Sequence, residues 1–123
     1  MDRTETEKYI TETYGAAIEY PWLRYPKYAV FRHNDNRKWF AVLMAVSGSK
    51  LGLAEDKKVN IINLKTEPAA VGSLRMQPGF FPAYHMNKTN WITVSLDGGV
   101  SDDELKMLLD ISFRLTSGVG SRR

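Results

Sequence analysis

This sequence predicts an α+β fold, a mostly antiparallel β-sheet with helices packed on one face. Three observations lead there. Helical periodicity marks both ends of the chain, and the segments between read as strands joined by short turns. One of those strands, 39–46, is apolar on both faces, the mark of a strand buried centrally between layers. With 123 residues, 43% of them apolar, and three Trp, six Tyr and five Phe, the chain has material for one domain over 1–123.

Residues 4–14 read as the first helix. Thr4 and Glu7 have capping-box spacing, and Tyr9, Ile10, Thr13 and Tyr14 repeat on one side. Gly15 supplies a left-handed stop. Pro21 and Pro26 forbid a helix through 19–26, leaving an aromatic loop packed on the sheet. Segments 28–33 and 38–46 read as a hairpin across Asn34-Asp35-Asn36-Arg37, residue types that tolerate left-handed backbone. Residues 47–57 contain Gly48 and Gly52 and read as loop, with Leu51 and Leu53 pairing briefly. Segment 59–64 is a strand by its β-branched content. Thr66 caps a short helix with Pro68 in its first turn and Val71 and Leu74 facing inward.

The run from Gln77 to Pro82 breaks that helix. Segment 91–96 then alternates, with Ile92, Val94 and Leu96 on one side and Trp91, Thr93 and Ser95 on the other. Gly98-Gly99 turns the chain, and Ser101 with Glu104 makes a second capping box. Leu105, Leu108, Leu109 and Ser112 carry the last helix toward Gly118, with a frayed basic tail over 118–123. The expected order is α-β-β-β-α-β-α.

Charge is unevenly spread. Net charge is +3, but residues 21–96 hold eleven bases against four acids, while both ends are more acidic. A basic sheet region between acidic helices attracts a polyanion, or it is an ordinary solvated surface; both readings stand. Mean hydropathy is −0.35 and no long apolar run occurs, so a membrane span is not expected. Asp2, Arg3, Glu5, Glu7 and Lys8 do not read as a secretory signal, and the chain has no cysteine. A cytoplasmic protein is the expectation. No cofactor is expected, and no metal, since His33 and His85 are the only histidines and no carboxylate adjoins His85. No nucleophile elbow, phosphate-binding glycine loop or dinucleotide fingerprint is present, so the chain does not read as an enzyme.

Several pieces in this order resemble the MmcQ/YjbR-like family over about residues 5–117. They are Pro21-Trp22, Lys38-Trp39-Phe40-Ala41, Pro78-Gly79, Tyr84-His85-Met86-Asn87-Lys88 with Trp91-Ile92-Thr93-Val94, and Ser101-Asp102-Asp103-Glu104-Leu105 leading to Ser112-Phe113. The Tyr-His-x-Asn-Lys…Trp piece is the most specific. The resemblance implies a CyaY-like (frataxin-like) sandwich whose two β-hairpin projections have been likened to a double-wing DNA-binding arrangement. Leu23 stands where glycine is common, and the 47–57 loop is long.

Two candidate sites follow. For double-stranded DNA, Arg32, Arg37, Lys38, Lys57 and Lys58 would neutralise phosphates while Asn34 or Asn36 reaches a groove. The alternative is a pocket for a small anionic ligand or a protein partner, combining Trp22, Lys38, Tyr84, His85, Asn87, Lys88 and Trp91. His85 and Asn87 have a structural reading too, bonding backbone to fix a turn. Trp91 either stacks a ligand or is covered by the Pro21-Trp22 loop.

Overall fold

A computed structural model describes residues 1–117; the Gly118 helix stop and the 118–123 tail fall outside the described residues. Helix α1 spans Arg3–Tyr14, and its cap lies earlier than the Thr4–Glu7 spacing suggests. The Asp2 carboxylate accepts from Glu5 N–H at 2.8 Å, and the Glu5 carboxylate accepts from Asp2 N–H at 2.9 Å. Glu7 instead pairs with Arg3 at 3.0 Å. Aspartate is a strong N-cap, and its charge also suits the helix dipole. Gly15 closes the helix in left-handed backbone, φ 61°, as its type requires.

Six strands form one sheet in the order β1-β2-β3-β4-β6-β5, antiparallel at every pairing. They are β1 (Ala17–Glu19), β2 (Ala29–Arg32), β3 (Trp39–Ser47), β4 (Lys58–Lys65), β5 (Phe80–Pro82) and β6 (Trp91–Ser95). Strand β3 lies inside the sheet and is largely buried on both faces, as its composition predicts. The two strands that the expected order lacks, β1 and β5, are the sheet edges. Each has three residues, too few for a periodic pattern, and exists because a longer neighbour offers it hydrogen bonds. Short edges, one ending in Pro82, also deter pairing with other chains.

Helix α2 spans Pro68–Arg75 with Glu67 at its N-cap, not Thr66. Thr66 is buried, and its N–H donates to the Asn90 carbonyl at 2.9 Å. Leu51 and Leu53 do not pair as strands; a 3-10 turn occupies Gly48–Leu51. Helix α3 spans Asp102–Thr116, and Ser101 Oγ accepts from Glu104 N–H at 3.1 Å.

The main core lies between the sheet and the three helices. Ile10, Val71, Leu105, Leu108 and Leu109 pack there with Phe31, Phe40, Leu43, Ile62, Leu64, Ile92 and Val94. Tyr14 stacks on Phe113 at 4.5 Å and joins α1 to α3. Each such buried side chain stabilises the fold by about 1.5–3 kcal/mol over its exposed state. The opposite face has a smaller cluster, Val30, Val42, Met44, Val46 and Ile61, beneath Trp22, Tyr28, Trp39 and Tyr84.

A bulge decides which rings face which core. Phe31 pairs with Ala41 but Arg32 pairs with Trp39, so Phe40 is an extra residue. Phe40 and Ala41 therefore share the helix side, and Trp39 turns to the opposite face. Ser112 of α3 bridges the irregularity: its Oγ accepts from Lys65 N–H at 2.9 Å and donates to the Phe40 carbonyl at 2.6 Å.

Candidate ligand site on the aromatic face

The segment 20–28 winds through two successive turns. Tyr25 N–H donates to the Trp22 carbonyl at 3.1 Å, and Tyr28 N–H to the Tyr25 carbonyl at 3.0 Å. This brings Trp22, Tyr25 and Tyr28 into one aromatic group. Tyr25 and Tyr28 stack at 4.6 Å, while Trp22 meets Tyr28 and Trp39 at near right angles, 77° and 80°. Tyr28 is anchored by its hydroxyl, which donates to the Ala45 carbonyl at 3.3 Å. Burial raises its phenol pKa above the ordinary value, and the neighbouring Tyr84 and Tyr25 add to the rise.

Facing this group is the turn after β5. The backbone of Tyr84 is held at both polar ends: its N–H donates to Thr93 Oγ1 at 2.9 Å, and its carbonyl accepts from Asn63 Nδ2 at 3.0 Å. Thr93 in turn donates to Asn63 Oδ1, closing a buried network with its polar atoms paired. His85 follows in left-handed backbone, φ 59°, which costs a non-glycine residue about 1–2 kcal/mol. Its ring lies 4.0 Å from that of Tyr84. Together with Met44, the two aromatic groups line an open concavity of about 370 Å³. Among the described residues the His85 ring makes no hydrogen bond, and neither do the indoles of Trp22 and Trp39 or the Tyr84 hydroxyl.

The first hairpin turn is spent differently. Arg32 Nε donates to Glu19 at 2.9 Å and Arg37 to the same carboxylate at 2.6 Å. The hydrogen bond from Arg32 is the largest influence holding the Glu19 carboxyl below its ordinary pKa. The Arg32 guanidinium also lies 5.5 Å over the Trp39 ring. Asn34 donates to the Gly15 carbonyl at 2.8 Å. Asn36 donates to the Thr116 carbonyl at 2.9 Å and accepts from Lys38 N–H at 2.9 Å. His33 is buried between Phe40 and Phe113, 2.7 Å from Thr116 Oγ1. Thr116 Oγ1 also lies 2.8 Å from the Ser112 carbonyl, which ties the His33 contact to the last turns of α3. Burial lowers the imidazole pKa below 6.5.

Of the expected pocket residues, Trp22, Tyr84 and His85 come together. Asn87 is exposed and bonds within its own turn, accepting from Thr89 N–H at 2.9 Å. Lys88 lines an adjoining cavity, Lys38 is exposed at the hairpin, and Trp91 is 9% exposed, outside the cluster around Trp22. Lys57 and Lys58 flank a separate depression that also contains Glu55 and Asp97. Tyr25, Tyr28, Trp39 and Met44 belong to the cavity without having been expected there. The i, i+3 spacing of Trp22, Tyr25 and Tyr28 is a legible signal; the bulge that redirects Trp39 is not.

Among the described residues no cluster of three or more His, Asp or Glu could hold a metal ion, and no helix is long and apolar enough to cross a membrane. A family model described as YjbR matches residues 11–115. The uncharacterized protein YyaQ of Bacillus subtilis is 38% identical over 94% of this chain and 98% of its own length. The uncharacterized protein YjbR of Escherichia coli K12 is 32% identical over 67% of this chain and 69% of its own. A crystal structure of a Pseudomonas syringae protein superposes with a TM-score of 0.93 at 47% identity, covering 95% of this chain and 100% of that one. DR2400 of Deinococcus radiodurans, described as a DUF419 domain, shares the fold at a TM-score of 0.72 and 22% identity, over 98% and 82% of the two chains.

Proposed function

The chain belongs to the YjbR family, and we propose that this member binds a small molecule in the aromatic cavity beside His85. One observation carries the reading: ring faces and unpaired polar groups converge there on a concavity of about 370 Å³. That volume falls within the range of ligand cavities, roughly 300–1,000 Å³. Left-handed backbone at His85 and the Asn63–Thr93 clamp on Tyr84 hold the cavity wall in place. Strain retained at an otherwise unemployed side chain is a common attribute of binding sites. Binding is favoured over catalysis because among the described residues no group orients the imidazole for proton transfer.

Duplex DNA is the second reading, favoured by Lys38, Lys57 and Lys58, which are exposed and unpaired among the described residues. Against it, Arg32 and Arg37 are already committed to Glu19, and Asn34 and Asn36 to backbone carbonyls. Three free lysines would give a log–log salt slope of only about −2.7, at 0.9 per phosphate contact.

Saturation-transfer NMR with millimolar indole, a neutral aromatic probe, tests the cavity. Wild-type protein should pass saturation to indole, and Trp22→Ala should abolish it with the fold retained. Equal transfer in the variant would remove the cavity reading. Duplex binding at about 20 mM salt, weakened by replacing Lys57 and Lys58, would put DNA in its place.

A further inference from the structure

A second cavity, about 320 Å³, adjoins the first at Tyr84, which lines both. Its chemistry is different. Lys50, from the 3-10 turn, and Lys88, from the turn after His85, stand at it beside Leu51 and Phe81. Both lysines are exposed, and neither has an ion-pair partner among the described residues. The nearby Asp56 carboxylate accepts from Ser49 Oγ at 2.6 Å.

Charge and shape together select a ligand class. The linings of the two cavities contain no carboxylate. An organic cation would enjoy the ring faces, but it would meet Lys50 and Lys88 with no counter-charge in either lining. A neutral apolar molecule would leave both ammonium groups idle. A planar ring bearing an anion uses every feature. The ring enters the corner made by Trp22 and Trp39, which meet at 80° and leave ring faces unstacked on each other. The anion passes Tyr84 to reach the lysines.

Resting on the cavity reading above, we propose that the ligand is an aromatic anion of the nucleoside monophosphate class. Its base stacks among Trp22, Trp39 and Tyr84, and its phosphate lies between Lys50 and Lys88. Stacking on aromatic side chains tolerates any base, since each has a π face, so the site discriminates by the phosphate more than by the base. Lysine serves the phosphate as a point charge, without the two-pronged geometry an arginine would impose.

Calorimetric titration of the full chain with adenosine 5′-monophosphate, adenosine and inorganic phosphate separates the parts. The monophosphate should bind about tenfold or more tighter than adenosine, each tenfold corresponding to 1.4 kcal/mol. Phosphate alone should bind far more weakly than either. Replacing Lys50→Met and Lys88→Met together should reduce the monophosphate to the affinity of adenosine without changing adenosine itself. Both lysines are exposed, so the melting temperature should not move. Trp22→Ala should weaken both nucleosides alike.

Equal affinity for adenosine and its monophosphate would overturn the anionic part and leave the aromatic cavity standing. Phosphate binding as tightly as the monophosphate, unaffected by Trp22→Ala, would overturn the aromatic part. If the other three common nucleoside monophosphates, like the adenosine one, fail to bind, the proposal falls. Indole transfer in wild-type protein, lost in Trp22→Ala, would then still support the cavity.

Discussion

Two turns of this molecule have nearly the same composition and opposite employment. The turn over 33–38 contains histidine, two asparagines, aspartate, arginine and lysine; the turn over 85–90 contains histidine, two asparagines, methionine, lysine and threonine. Each holds one non-glycine residue in left-handed backbone, Arg37 at φ 62° and His85 at φ 59°. In the first turn His33, Asn34, Asn36 and Arg37 are all tied to the body of the fold. In the second, the side chains of His85 and Lys88 have no polar partner among the described residues and that of Asn87 bonds only within its turn, while the backbone carbonyls of Asn87 and Asn90 accept from Trp91 N–H and Thr66 N–H. Residue types alone therefore do not separate a fastening from a site. The account of who bonds whom does.

Cutting the fastening should have the largest effect. His33→Ala removes a ring buried against Phe113 and Phe40 together with its bond to Thr116. A cavity plus a lost hydrogen bond should cost about 2–4 kcal/mol, read as a lower urea midpoint at unchanged slope. A loss below about 0.5 kcal/mol, the range of ordinary surface changes, would mean that the first turn is not structural.

Asn63→Ala sharpens the contrast from the other side, because it attacks the root of the second turn and leaves the turn's own residues in place. The Tyr84 carbonyl and Thr93 would each lose a buried partner, costing about 1–3 kcal/mol. Asn63 is a positioning residue in this account. Its loss should weaken retention of an aromatic probe by wild-type-like fractions of the chain, beyond the effect of unfolding.

Acid tests the first turn without mutation. The folded state disfavours the charged form of His33, since burial lowers its pKa from 6.5. Below pH 6.5 the unfolded chain takes up a proton that the folded chain refuses, so stability falls as pH drops toward the depressed folded value. Above 6.5 both states are neutral and this contribution is constant. A His33→Gln variant should lose that part of the slope. An identical pH dependence in wild type and variant would contradict the burial of a neutral imidazole. Glu19 acts at lower pH: its carboxyl is held below the ordinary carboxylate range, so its contribution is lost as pH falls through that range.

The smallest expected change in stability is the most telling. His85→Gly relieves left-handed backbone and removes only an exposed ring. Stability should hold or rise by up to about 1 kcal/mol, while retention of an aromatic ligand weakens. Destabilisation by several degrees would place His85 among the fastenings.

The sequence made the interior of the fold legible and its margins obscure. The two-faced apolar run of β3, the alternation of β6 and the leucine spacing of α3 are statements about burial, and burial leaves a periodic trace. The edge strands β1 and β5, each of three residues, leave none. At the site, Trp22, Tyr84 and His85 stood out by residue type. Trp39 did not, because alternation along β3 groups Phe40 with Val42 and Met44, and only the bulge opposite Phe31 and Arg32 reverses that order. Lys38, expected at both candidate sites, lies at the hairpin and does not line the pocket, whereas Lys50, from a 3-10 turn with no pattern of its own, shares a cavity with Tyr84.

On the proposed function, a ligand meets the turn over 85–90 and not the fastened turn over 33–38. The direct measurement is a ¹H–¹⁵N correlation spectrum of the full chain titrated with adenosine 5′-monophosphate. Saturable shifts should appear at the amides of Tyr84, His85 and Lys88 and at the indole N–H signals of Trp22 and Trp39, with 33–38 and Lys57–Lys58 unmoved. Shifts centred on the first hairpin and on Lys57 and Lys58, with the two indoles still, would contradict it.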